Sequence, residues 1–210
     1  MKKVSVGSLG AVIGLAVLMA PVSAASAQMS PWTASVFVGG LFATGDFGDA
    51  ANTGWLAGAS GGYRFGEGRS PVSLRLDLSY SSSSAKDFST GANPTVDAKF
   101  NNIYVLGFAL LHPNIGQKGD KAVVDLYVGG GGGFVNSKCS GADCDVFGTT
   151  EDPAGTASET NGALAGVVGG AAPIGGVYLF FEGRWVLVFT SGSSQNLFPV
   201  MAGVRIPFGG

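Results

Sequence analysis

The segment from Val72 to Tyr80, Val-Ser-Leu-Arg-Leu-Asp-Leu-Ser-Tyr, alternates without interruption, with apolar residues on even numbers and polar ones on odd. A helix repeats every 3.6 residues and cannot produce that pattern, so the segment is a strand with two chemically different faces. Between Val177 and Phe189 the odd positions Val177, Leu179, Phe181, Trp185, Leu187 and Phe189 are apolar, while Glu182 and Arg184 share the even face. The final run behaves alike, with Phe198, Val200, Ala202, Val204, Ile206 and Phe208 on one face and Arg205 on the other. Weaker alternation predicts five more strands, at about 32–41, 54–65, 98–111, 121–135 and 160–172, for an expected total of eight. Residues 162–181 carry no charge and rival this reading as a membrane-spanning helix. They hold six glycines and Pro173, with Pro-Ile-Gly-Gly at the middle, and read better as strand, turn, strand.

The connections alternate in length. Gly66–Arg69, Pro113–Asp120 and Pro173–Gly176 are short and carry Gly or Pro turn chemistry. Ala43–Thr53, Ser81–Asp97, Asn136–Glu159 and Thr190–Gln195 are mostly longer and rich in Ser, Gly, Asn and Asp. Short turns at one end and long loops at the other are the layout of a transmembrane β-barrel, with the turns on the periplasmic side. Residues 1–27 fit a cleaved secretory signal: Lys2 and Lys3, an apolar run from Ala11 to Ala20, Pro21, then Ala25-Ser26-Ala27 before Gln28. The expected mature chain, 28–210, is one all-β domain.

Composition narrows the class. The 210 residues include 36 glycines, 46% are hydrophobic and only 12% are charged, about half the ~25% of an ordinary soluble domain. Disorder is excluded by the apolar content, and collagen by the lack of a three-residue glycine period. A net charge of -2 with few cations argues against nucleic acid, which demands clustered Lys and Arg. One His and two Cys leave no multi-histidine metal site, and no cofactor is expected.

Alternation alone does not separate a soluble barrel from a membrane barrel, because the second inverts the first, with apolar residues on lipid and polar ones inside. The apolar faces here are Leu, Val, Phe, Trp and Tyr, whereas the opposite faces combine charges with Gly, Ser and Ala, small enough for a narrow interior. On this assignment Arg64, Arg75, Arg184 and Arg205 point inward with Asp77, Asp125 and Glu182 as a paired network filling a polar lumen. The alternative is a lipocalin-like periplasmic barrel carrying these charges in water. The long loops hold nine acids (Asp46, Asp49, Asp87, Asp97, Asp143, Asp145, Glu151, Asp152 and Glu159) against Lys86, Lys99 and Lys138, so the outer end is acidic. Trp55, Phe100, Tyr104, Trp185 and Phe198 are expected as one aromatic girdle on the lipid face, and Trp32, Tyr63, Phe65 and Phe208 as the other.

In this architecture the chain resembles the small eight-stranded outer-membrane barrels of the OmpA and OmpX kind. The local match lies in the last strand, where Gly203, Ile206 and Phe208 fit the terminal pattern of a glycine followed by spaced hydrophobic residues; Gly209 and Gly210 trail it. The resemblance implies that these three residues are read by the barrel-assembly machinery, and that outer-membrane lipid and lipopolysaccharide surround the protein. Candidate chemistry is sparse. Cys139 and Cys144, in an oxidising envelope, are expected to close a small disulfide loop. Asp143, Asp145, Glu151 and Asp152, with Asp46 and Asp49, match no calcium-loop spacing and read as a solvated surface. Some barrels of this size are lipid A acyltransferases or deacylases with a His, a Ser and a carboxylate at the outer leaflet. His112 precedes Pro113 at the opposite, periplasmic end, and nothing at the outer end supplies such a site. Gly129–Gly133 lacks the Lys-Ser/Thr and helix of a phosphate loop, and instead permits curvature. The expectation is a non-enzymatic barrel with a plugged polar lumen, serving envelope structure or contact with an unidentified extracellular ligand; a small pore is the alternative.

Overall fold

The structure, a computed structural model, describes residues 30–44, 48–49, 51–66, 70–86, 98–113, 117–118, 121–122, 124–141, 144, 156–190 and 193–209. The signal segment 1–27 lies outside them. Eight antiparallel strands close into one barrel: β1 (Trp32–Thr44), β2 (Gly54–Arg64), β3 (Val72–Ser84), β4 (Lys99–Leu111), β5 (Asp125–Ser140), β6 (Thr156–Ile174), β7 (Val177–Thr190) and β8 (Ser193–Phe208). Each strand pairs with its sequence neighbours, and β1 closes on β8 through thirteen residue pairs, from Trp32 opposite Phe208 to Thr44 opposite Asn196. Closure removes the sheet edges, which hydrocarbon demands because it offers no partner to a free N–H or C=O. Residues 162–181 are strand, turn and strand, with Gly175 at φ 62° in the turn. Among the described residues no helix is long and apolar enough to cross a membrane.

Several strands run farther at the loop end than their alternation indicates. Ser81–Ser84 belong to β3, Asn136–Ser140 to β5, Thr156–Glu159 to β6 and Ser193–Leu197 to β8. Ser81–Ser84 and most of Asn136–Ser140 are polar on both faces, so the apolar period vanishes there while the hydrogen-bond ladder continues. At the other end β5 begins at Asp125; Lys121–Ala122 pair instead with Gln117–Lys118 in a separate two-residue ladder.

The faces decide the solvent. Val38, Leu76, Phe134, Val168 and Phe181 point outward with more than 60% of their surface exposed, while Asp77 and Glu182 are 1% and 0% exposed inside. A water-soluble barrel has the reverse arrangement, so the lipocalin-like alternative is corrected: this outer surface is built for lipid. Trp32, Tyr63 and Phe65 form a chain of ring contacts at the turn end, with centroids 4.7 and 5.4 Å apart. Near the loop end Trp55 packs on Tyr80, the Tyr80 hydroxyl donates to Asn101, and the Trp185 indole donates to Asn196. Phe100 and Tyr104 are not in this girdle. On β4 the even residues face inward, so Tyr104 is buried and bonds Ser81, and Phe100 packs beside the disulfide. The reason is that both faces of β4 are apolar, with Ile103 and Val105 outward against Leu106, Phe108 and Leu110 inward.

The interior is likewise less polar than expected. Leu41, Tyr104, Leu106, Val135, Val186, Val188 and Leu197 are among the buried residues of one apolar cluster inside the barrel, and Phe37, Leu56, Phe180 and Met201 of another. Such bulk fits because facing positions are glycine. Phe108 lies opposite Gly131, Tyr127 opposite Gly169, and Gly203 opposite both Phe37 and Phe180. A methyl group on Gly131 would stand 1.8 Å from the Gly107 carbonyl oxygen, and one on Gly169 would stand 2.6 Å from the Tyr127 ring. By contrast, Gly130 on the outer face has its nearest neighbour, the Ala165 oxygen, at 3.7 Å. We therefore expect Gly131→Ala to cost about 2 kcal/mol through forced backbone displacement, and Gly130→Ala to be neutral or slightly stabilising. Urea unfolding midpoints of the lipid-reconstituted protein compare them, and equal shifts would contradict the interior packing described.

Candidate functional site

The inward residues of β3 read Ser73, Arg75, Asp77, Ser79, Ser81 and Ser83, all buried, and those of β7 include Glu182 and Arg184. In the closed order β3 and β7 are four strands apart in either direction, on opposite sides of the barrel. Long side chains bridge the gap. The Arg75 guanidinium donates to both Glu182 oxygens, at 2.6 and 2.9 Å. Arg184 donates from Nε to Glu182 and from Nη2 to Asp77, each at 2.5 Å, and Arg75 Nε lies 3.0 Å from Asp77 Oδ1. Two cations and two anions thus form a closed ring of alternating charge. Each ion has two partners of opposite sign, which offsets the several kcal/mol that desolvating each one costs.

Aromatic faces complete the ring. The Arg75 guanidinium lies 5.1 Å from the Phe108 ring centroid; that of Arg184 lies 5.2 Å from Phe108 and 5.1 Å from Phe37. A guanidinium has edge donors for carboxylates and flat faces for π-systems, so each arginine engages both kinds of partner at once. These aromatics were not singled out from sequence. Phe108 stands directly opposite Arg75 in the β3–β4 register, a pairing that the alternation along either strand does not reveal.

A second group lies toward the turn end. Asp125, the first residue of β5, receives Arg205 at 3.1 Å and lies 3.5 Å from Arg64. Its Oδ1 also meets His112 Nδ1 at 2.8 Å, and His112 Nε2 meets the Ser73 hydroxyl at 2.8 Å. Arg205 stacks on Tyr127 and Phe180, with centroids at 5.0 and 5.5 Å. The seven charged residues chosen from sequence thus fall into two sets: Arg75, Asp77, Glu182 and Arg184 in the ring, and Arg64, Asp125 and Arg205 below it. His112 and Ser73 were not counted among them, although His112 follows Leu110 on the inward parity of β4 and Ser73 precedes Arg75 on that of β3.

Cys139 and Cys144 form a disulfide packed with Ala85, Ala98 and Phe100 at the loop end. Phe208 is exposed on the lipid face, and Gly203 faces inward against Val36 and Phe180, where a methyl group would stand 2.2 Å from the Val36 oxygen. Of the loop acids, only Asp49 and Glu159 fall among the described residues. No cluster of metal-binding side chains occurs among those residues.

An apolar outer surface between aromatic rims, closed around internally paired charge, defines a transmembrane β-barrel. The family model described as "Outer membrane protein beta-barrel domain" matches residues 11–185. The chain belongs to that family and resides in the outer membrane of a Gram-negative-type envelope. Its fold is similar to that of Neisserial surface protein A, at 17% identity and a TM-score of 0.55, covering 85% of this chain and 98% of that one. It is similar also to a major outer membrane protein from Thermus thermophilus, at 13% identity and a TM-score of 0.55, covering 84% and 99%. No curated protein matches the sequence.

Removing one member of the ring leaves its partners buried and unbalanced, whereas removing an ion pair leaves a balanced one. Glu182→Gln is expected to cost about 3 kcal/mol, and the Arg75→Gln/Glu182→Gln double variant less than the sum of its singles. Unfolding of the four proteins in one lipid system measures this; strictly additive losses would contradict a coupled ring.

Proposed function

We propose that this chain is a non-enzymatic barrel whose interior is closed to solutes, with loops that face outward for envelope integrity or surface contacts. The observation that carries the reading is the charge ring reaching from β3 to the opposite β7, flanked by Phe37 and Phe108. Side chains meet across the middle of the barrel there, and apolar residues pack above them. Gly203, Ile206 and Phe208 serve as the assembly signal on the closing strand.

One arrangement argues for a different reading. Ser73, His112 and Asp125 are joined in the order of a nucleophile, a base and an orienting carboxylate. We assign them to closure of the turn end instead, because Ser73 and His112 are both buried and the Asp125 carboxylate is shared with two arginines. A fluorophosphonate ester, which labels activated serines, is expected to leave Ser73 unmodified; labelling that disappears in His112→Ala would overturn the non-enzymatic assignment.

The closed interior is checked by planar-bilayer recording. Wild-type protein is expected to show no reproducible unitary conductance, and stable openings in the wild type would favour the pore reading.

A further inference from the structure

The outer face of β4 and β5 changes character toward the loops. From the turn end, β4 presents Leu111, Ala109, Gly107, Val105 and Ile103, then Asn101 and Lys99; β5 presents Leu126, Val128, Gly130, Gly132 and Phe134, then Asn136 and Lys138. Lys138 lies opposite Asn101, and Lys99 opposite Ser140, so the two lysines are diagonal neighbours on adjacent strands, roughly 7–8 Å apart at the backbone. Both are exposed, and neither forms an ion pair among the described residues. Around them is a field of hydrogen-bonding groups. Asn101 accepts from the Tyr80 hydroxyl and donates to Ser140 at 3.4 Å, and Asn136 donates to Ser158 and Thr160 on β6 at 3.2 and 2.9 Å.

Position fixes what these cations meet. Ile103 and Phe134, each two outward positions below the lysine of its own strand, are exposed to lipid acyl chains, and the phenol of Tyr80 bonded to an asparagine marks the boundary with water. Two ammonium groups with no ion-pair partner among the described residues stand immediately beyond that boundary, at headgroup level and on a surface continuous with the lipid-facing wall. We propose that Lys99 and Lys138, with Asn101 and Asn136 beside them, form a binding site for the phosphate-bearing headgroup of an outer-leaflet lipid. Phosphate carries the charge opposite to the two ammonium groups and accepts their hydrogen bonds, and the second N–H of the Asn101 amide, which donates once to Ser140, adds a further donor. The site rests on the reading of the chain as an outer-membrane barrel and assigns that barrel a fixed lipid neighbour.

The test uses nanodiscs of phosphatidylcholine doped with diphosphorylated lipid A, holding wild type, Lys99→Gln, Lys138→Gln or the double variant. Lipid retained by the protein after mild detergent extraction is counted by native mass spectrometry. Wild type is expected to enrich the phosphorylated lipid over phosphatidylcholine, each single variant to reduce that enrichment about fivefold, and high salt or dephosphorylated lipid to abolish it. Equal enrichment in the double variant and wild type, or enrichment indifferent to phosphate, would overturn the site. A heat-dependent gel shift of the same samples shows whether each variant is a folded barrel. A folded variant with unchanged lipid retention contradicts the site alone, whereas a wild type that shows no gel shift and does not enter nanodiscs contradicts the barrel.

Discussion

In hydrocarbon a charged side chain has one place to go, the inside of the barrel, and an eight-stranded interior leaves little room for water to solvate it. Arg75, Asp77, Glu182 and Arg184 therefore solvate one another. The alternating ring that results fixes much else. It needs β3 and β7 facing each other across the interior, it needs aromatic faces on the guanidiniums, and it needs facing positions without side chains so that those aromatics fit. Gly131, opposite Phe108, and Gly169, opposite Tyr127, meet the last requirement. The high glycine content and low charge content have the same origin: a lipid-exposed wall forbids outward charges, and a crowded core selects glycines inside.

The interior also has an axis. Toward the loops it is packed with Leu41, Leu106, Val135, Val186, Val188 and Leu197; at mid-barrel it is the charge ring; toward the turns it is the Asp125 group, where one carboxylate holds Arg64, Arg205 and His112. The disulfide and its alanine neighbours add a small apolar cluster at the loop end. The outer wall has a matching order, from the Trp32, Tyr63 and Phe65 rim through bare aliphatic surface to asparagine-bonded Tyr80 and Trp185, and then to Lys99 and Lys138.

How much of this was legible in the sequence depended on contrast between the two faces of each strand. β3, β7 and β8 carry charges on one face and aliphatic residues on the other, and from them the strand period, the inward Arg75, Arg184 and Arg205 and the lipid-facing surface are legible; the count of eight rests also on the weaker alternation of the other five strands. β4 carries large apolar residues on both faces, so its alternation is silent, and the sequence pattern does not show that Phe100 and Tyr104 face inward. The strand tops are polar on both faces, so Ser81–Ser84 and Asn136–Ser140 read as loops. Partnership across the barrel was less accessible still. That Arg75 meets Glu182 depends on which strands oppose each other and on the stagger between them, and neither is encoded in local periodicity. His112 and Ser73 illustrate the limit, since each sits on inward parity but only the closed register brings them to Asp125.

The central claim is that apolar side chains meet lipid while polar and charged ones are buried within, and β3 tests it residue by residue. Single spin labels placed at 73, 74, 76, 78, 79 and 81 in lipid-reconstituted protein report collision rates with oxygen, which partitions into acyl chains, and with a water-soluble nickel chelate. The arrangement described here predicts high oxygen accessibility at 74, 76 and 78, and low accessibility to both reagents at 73, 79 and 81. Oxygen accessibility that peaks at the odd positions, or nickel accessibility along the whole strand, would contradict it.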